Sequence, residues 1–402
     1  MAGALVVVSV LALLFTLNFI ASHRVITPDF LSFYSAGSIL RRGESASLYD
    51  LSLQRRIELQ TFPHASVFLP FYHPAFEAPL FVPFAYTSFD HAFALWGMLN
   101  LGTLALLFWL LPRTGYRLDD DSRLVWLAGS LVPVAETLLL GQDSLVLVLL
   151  VVLAFLALKR RRDFAAGMAL GAGLFRFQFL LPFAFIFVLR RRWRLLGGIA
   201  MAGTLAVAVS AALVGWVGLL NYVKLIFSMG QLSGREGRGI FAFSMPSLRG
   251  AIATFGAGWM PRWSQFPVVL LGSLILLVWS ARRFRHIALP EARAFDLEFC
   301  LVSLAALLAS YQLYVHGLDI LLLVGFVILG HECASRREGS LRDRAGTALI
   351  LLLAATLVIG FAFGFSGYSV LFTVLLGLMI WLSQEIAAAP AQTPGATCTG
   401  PK

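Results

Sequence analysis

The chain is built from apolar runs of about 20 residues, a length that crosses the hydrocarbon of a bilayer, punctuated by short clusters of Arg and Lys. That alternation leaves little choice of fold class. Lipid offers no partner to a backbone N–H or C=O, so runs of this kind close their hydrogen bonds internally as helices. With 59% hydrophobic and 13% charged residues, a soluble globule is excluded and an all-α polytopic membrane protein is expected. A formal charge of +10 would suit nucleic acid, but the basic residues sit in short clusters between membrane-length runs, which is the positive-inside pattern. Cys300, Cys333 and Cys398 show neither disulfide nor zinc-ligand spacing.

Spans are expected near about 4–22, 91–111, 123–140, 143–158, 195–217, 264–281, 297–310, 317–330, 347–366 and 368–387. Two further stretches, about 164–175 and 179–189, are too short to cross ~30 Å of hydrocarbon alone. Counting them gives about 12 transmembrane helices with both termini inside, and places the basic clusters at 159–162, 190–194, 282–285 and 336–344 in the cytoplasm. The first run lacks a cleavage site and reads as a retained anchor. Residues 1–388 then form one integral membrane domain, with extracytoplasmic loops at about 23–70 and 218–263 and a disordered tail at 389–402. Prolines at 70, 74, 79 and 83 forbid an ordinary helix, so this stretch reads as broken or re-entrant, with a kinked span as the competitor.

The stretch His23–Tyr49 follows the first run. Thr27 suits an N-cap and Pro28 the first helical position, which puts Asp29 in the first turn of a helix. Phe30, Phe33, Tyr34 and Gly37 recur at helical spacing, so this helix is expected to lie along the membrane surface. Tyr49, Leu53 and Ile57 mark a second surface helix. Asp29 either complements a helix N-terminus or serves a site. On the expected topology Asp29, Tyr72, His73, Gln142, Asp143, Arg176, Gln178 and His316 all reach the outer face, where polar groups at membrane depth commonly serve a site.

An outward-facing site has no access to cytoplasmic nucleotide sugars or ATP. Group transfer there needs an activated, lipid-borne donor, and apolar walls suit a polyprenyl chain. Arg176, Gln178 and His316 are the candidates for its phosphate, and Asp29 for a general base. Tyr34, Tyr72, His73, Gln142 and Asp143 are candidates for the substrate pocket. Each has a structural alternative: Gln142 and Asp143 as caps of the helix from Ser144, Arg176 as partner of Asp143, His316 as a packing residue oriented by Asp319. Arg235, Arg238 and the GREGRG run lack the ending of a nucleotide-binding loop and read as a lid or a solvated connection. His23, His64 and His73 lack ligand spacing, so no metal is expected.

The segments PDFLSFYSAG, YHPAFEAPLFVPFA, GQDSLVLVLL, GLFRFQFLLPF and YVHGLDILLL, in that order, resemble the integral-membrane glycosyltransferases of family 87 over most of residues 1–330. That family has the GT-C architecture and includes polyprenol-phosphate-mannose-dependent mannosyltransferases. The resemblance implies a polyprenyl-phosphate sugar donor, mannose favoured, with a lipid or glycan acceptor and no tightly bound cofactor. It implies a multi-pass protein of the cell membrane with an extracytoplasmic active site. It also implies Asp29 as base and His316 at the donor phosphate. The chain departs from the family pattern in carrying Tyr72-His73-Pro74 for Tyr-Pro-Pro, and Arg176-Phe177-Gln178 for Lys-Pro-Gln. A transporter or lipid flippase is the rival class, although no internal repeat between the halves is evident. A noncatalytic scaffold is the third.

Overall fold

The computed structural model describes residues 27–63, 67–229, 242–285, 293–337, 345–363 and 368–388. The first expected span, Arg235, Arg238, the GREGRG run, His23, His64 and the tail lie outside the described residues. The regular structure is helical. Among the described residues seven helical runs are long and apolar enough to cross a membrane, with two shorter apolar helices beside them. This is an α-helical polytopic membrane protein; the expected count of twelve is not reached among the described residues.

The helices are α1 (Phe30–Arg41), α2 (Leu51–Thr61), α3 (Phe89–Leu110), α4 (Asp120–Leu140), α5 (Ser144–Lys159), α6 (Asp163–Ala172), α7 (Phe177–Leu189), α8 (Trp193–Met229), α9 (Leu248–Phe255), α10 (Arg262–Arg283), α11 (Arg293–Ala309), α12 (Leu321–Arg337), α13 (Ala345–Phe363) and α14 (Tyr368–Ala388). Helix α11 is buried from Ala294 to Leu308 and forms the axis of the main core. The outside of α3 presents Met98, Leu101 and Trp109, the surface expected against lipid tails.

The run Asp163–Leu189 has the length and composition of one span, yet it is folded back on itself. Arg192, just past the end of α7, donates to Asp163 Oδ2 at 2.6 Å, so the run begins and ends at the same level. Its reversal is the 3-10 turn Gly173–Arg176. Helix α6 then runs beside the first half of α8 at glycine contacts: a Cβ on Gly167 would sit 2.0 Å from Leu195 O, and one on Gly198 2.2 Å from Phe164 O. The two short stretches are thus a helical hairpin.

The hairpin orders the ends of the molecule. Lys159 pairs with Asp296 at 2.8 Å, and the ring of Phe284 lies 6.3 Å from Phe187 and 5.9 Å from Phe295. The basic segments 159–162, 190–194 and 282–285 therefore share one end of the bundle, and Arg176 sits at the other.

At that far end the N-terminal segment departs from expectation. Helix α1 begins at Phe30, with Asp29 in the N-cap position making no side-chain capping bond. Nor does α1 lie on a surface: every residue from Phe30 to Ile39 is buried. The reason is tertiary. The prolines break 71–87 into 3-10 pieces, Ala75–Phe81 and Phe84–Tyr86, which wrap α1 instead of spanning. Phe81, Phe84, Phe93 and Trp96 close on Phe30 at centroid distances of 5.8–6.5 Å. Tyr49 precedes α2 and contributes its buried ring beside Leu53 and Ile57. Helix α8 bends at Gly215, whose φ of 69° a β-carbon would disfavour.

Candidate active site

The α4–α5 turn is where the site begins. Helix α4 ends at Gly141 in the left-handed region (φ 68°), and a Cβ there would meet Phe30 Cβ at 2.7 Å. Helix α3 fixes the turn through both its carbonyls: Trp96 Nε1 donates to Gly141 O at 2.9 Å, and Asn100 Nδ2 to Gln142 O at 3.0 Å. The side chains of Gln142 and Asp143 do not cap α5. Gln142 Nε2 donates to Asp29 Oδ2, and Arg176 Nη2 donates to Gln142 Oε1. This amide orientation is forced, since a guanidinium only donates and a carboxylate only accepts. Arg176 also donates from Nε to Asp143 Oδ1 at 2.9 Å, and from Nη2 to the same oxygen. The expected Arg176–Asp143 pairing is present, buried on both sides.

In front of this chain of bonds lies a cavity of about 190 Å³, lined among others by Asp29, Tyr72, His73, Glu136, Gln142 and His316. Asp29 and His316, far apart in sequence, thus face one space. A smaller cavity beside it is lined by Arg176, Gln178, Tyr314 and His316. Asp143 stands behind Arg176 and does not line the larger cavity. Tyr34 does not line it either: its hydroxyl donates to Thr87 O at 2.8 Å and its ring packs on Phe30 and Phe89.

His316 has a different neighbour from the expected one. Asp319 accepts from Thr137 Oγ1 at 2.6 Å, while His316 Nδ1 lies 3.7 Å from Glu136 Oε1. Asp319 shares the 3-10 turn Val315–Ile320 with His316, and it is the hydroxyl of Thr137 on α4 that engages its carboxylate. Glu136 is a site residue that sequence reasoning missed; an acid one turn before the GQDS turn, in an apolar run, was its signal. Glu77 was missed likewise. It accepts from or donates to His73 Nδ1 at 2.6 Å, and His73 is further held by Tyr49, whose hydroxyl donates to His73 O at 3.0 Å. His73, Glu77 and Asp143 offer ligand atoms within 4.8 Å of one another, a spacing that could hold a metal ion.

Burial holds the Asp29 carboxyl above the ordinary carboxylate range; His316, Gln142 and Arg176 oppose this, and the charge of Glu136 adds to it. Two residues of α2 fix the wall at 68–71. Gln54 accepts from Phe71 N at 2.8 Å, and Glu58 Oε2 accepts from Leu69 N at 3.2 Å. Burial pushes the Glu58 carboxyl up to about 8.

Comparison with curated proteins gives no match, and neither does comparison with solved structures. A family model does match, over residues 71–310, more than half of the chain. The matched segment includes Tyr72, His73, Gln142, Asp143 and Arg176, whereas Asp29 and His316 lie outside it and join the site through geometry. The chain belongs to glycosyltransferase family 87.

Proposed function

We propose that the protein transfers a sugar, mannose in the favoured case, from a polyprenyl-phosphate donor to a hydroxyl of a lipid or glycan acceptor at the extracytoplasmic face. The observation that carries this reading is that Asp29 and His316 line one cavity, and that Gln142, which lines it too, bonds both Asp29 and Arg176 of the smaller cavity beside it. The proposed base and His316 thereby face one space, and His316 also faces the adjoining cavity of Arg176 and Gln178. Asp29 takes the proton of the acceptor hydroxyl, whose oxygen attacks the anomeric carbon. The bond from that carbon to the phosphate oxygen breaks, and its electron pair leaves with the polyprenyl phosphate. Attack from the side opposite the leaving group inverts the anomeric configuration. Arg176, Gln178 and His316 receive the phosphate charge; Tyr72 and His73 shape the sugar pocket.

The positive-inside rule supports this sidedness: Lys159–Arg162, Arg190–Arg194 and Arg282–Arg285 gather at the end away from the cavity, the end that the rule assigns to the cytoplasm. An apolar groove of about 610 Å³ is lined by Phe76, Leu174, Phe177, Trp216, Tyr222 and Phe227. Phe177 adjoins Arg176 and the groove residue Pro74 adjoins His73, so an isoprenoid chain lying there has its phosphate end beside the site.

Mass spectrometry of envelope lipids and glycans, from cells carrying native protein or Asp29→Asn at matched levels, tests the reading. Loss of one sugar unit from a defined species, with accumulation of its precursor, is expected for the variant. An unchanged profile, with both proteins active in vesicle uptake, overturns it in favour of transport.

A further inference from the structure

Behind the cavity, an imidazole nitrogen and two carboxylates converge on one buried point. His73, Glu77 and Asp143 retain 5%, 1% and 2% of their exposure, too little for water to screen their charges. Asp143 gives Oδ1 to Arg176, but its Oδ2 is buried without a hydrogen bond, 3.7 Å from His73 Nδ1. That nitrogen lies 2.6 Å from Glu77 Oε2. A proton on Nδ1 serves one carboxylate and leaves the other unserved. One cation at the point of convergence serves both carboxylates and the ring nitrogen together. We propose that His73 Nδ1, Glu77 and Asp143 bind a divalent first-row ion, Zn²⁺ or Mn²⁺.

The donor set narrows the ion. An imidazole beside two carboxylates suits Zn²⁺ or Mn²⁺ better than Mg²⁺, which prefers oxygen donors and keeps its waters, and no thiolate is present to select Cu⁺. Three protein ligands leave a coordination position open, as in zinc sites that bind a water or a substrate oxygen. His73 also lines the cavity, which gives the ion its entry path. With the ion bound, two units of positive charge balance the two carboxylates, and the charge of Arg176 is left for an anion. That last consequence rests on the glycosyltransferase reading; the ion site does not.

The test uses the full-length protein in detergent, stripped with EDTA and desalted, then titrated with Zn²⁺ and with Mn²⁺ alone. Bound metal is read by mass spectrometry and affinity by calorimetry. Saturable uptake of about one ion per chain is expected, with His73→Ala and Glu77→Gln each weakening it more than ~100-fold, beyond the cost of losing an outer-shell partner. Glu77→Gln keeps the shape of the side chain, and its thermal transition checks that it is folded. The ion should raise the Tm of the native protein and of His91→Ala, an exposed histidine elsewhere, and leave that of Glu77→Gln unmoved. No saturable uptake by the native protein, or uptake that Glu77→Gln retains, overturns the proposal. Uptake by a protein that transfers no sugar keeps the ion site and removes the functional reading instead.

Discussion

Gln142 donates to Asp29 across 113 residues of chain, and its other amide atom accepts from Arg176. One neutral side chain therefore sets the spacing between the proposed base and the guanidinium beside the proposed phosphate position. Gln142→Leu removes both bonds. A hydrogen bond to a charged group contributes ~1.5–3 kcal/mol, so kcat is expected to fall by about 10- to 100-fold. Steady-state kinetics on variant protein with an unchanged Tm is the check. An unchanged kcat would remove Gln142 from the site.

The charge of Glu136 makes Asp29 harder to ionise. A base works in its deprotonated form, so the acidic limb of the rate profile should lie above the pH at which an ordinary carboxylate titrates. Glu136→Gln takes away that negative charge, the Asp29 carboxyl then ionises more readily, and the limb should move to lower pH. Measuring kcat/KM against pH for both proteins decides the matter. A limb that stays in place would mean that another group governs it.

Glu58 makes a separate prediction about stability. Its carboxyl titrates at about 8 in the folded protein against an ordinary value of 4.5, because burial disfavours the charged form. Its folded pKa is the higher one, so its stabilisation is full below the ordinary value and is lost as pH rises through about 8. The Tm should therefore drop between pH ~4.5 and ~8 and level off above that, and Glu58→Gln should flatten the drop. A variant with the same pH dependence as the native protein would contradict the assignment.

Gly37 sits where α1 meets the proline-rich segment, and a β-carbon there would lie 2.4 Å from Phe81 O. Backbone cannot swing aside as a side chain can. Gly37→Ala is expected to cost about 1–3 kcal/mol and to disturb the cavity, since Asp29 heads the same helix. Gly97→Ala, in α3 with open space around it, should be neutral or stabilising by roughly 0.5–1 kcal/mol. Thermal melts of both variants in one detergent test the contrast.

The helical class and the family were legible in the sequence, and so were Asp29, Tyr72, His73, Gln142 and His316 as polar interruptions that the fold gathers at one cavity, because apolar runs and the polar breaks in them are local signals. Partnerships were less so. His316 and Asp319 are neighbours in sequence, yet Asp319 is taken by Thr137 of α4 and His316 faces Glu136. The aromatic spacing of Phe30, Phe33 and Tyr34 correctly marked a helix but suggested one apolar face. Burial on every side came from the 3-10 pieces at 75–86, whose path no periodicity encodes. Glu77, inside FEAPLF, gave no sign of facing His73 until the prolines wound that segment tightly.

The fold-back at Gly173–Arg176 also has a bearing on depth. Helix α5, which rises beside the hairpin from the Lys159 level, has 16 residues and is therefore about 24 Å long, against ~30 Å of hydrocarbon. On the proposed sidedness, with the basic end among headgroups and α5 upright in the bilayer, Arg176 would stop roughly 6 Å short of the opposite boundary. On the proposed reading, a lipid phosphate that meets it would descend below the plane of its neighbours, or the bilayer would thin around the protein. Membrane thickness would then be a variable of the proposed reaction, and a change of lipid chain length alone would tune how readily such a donor arrives.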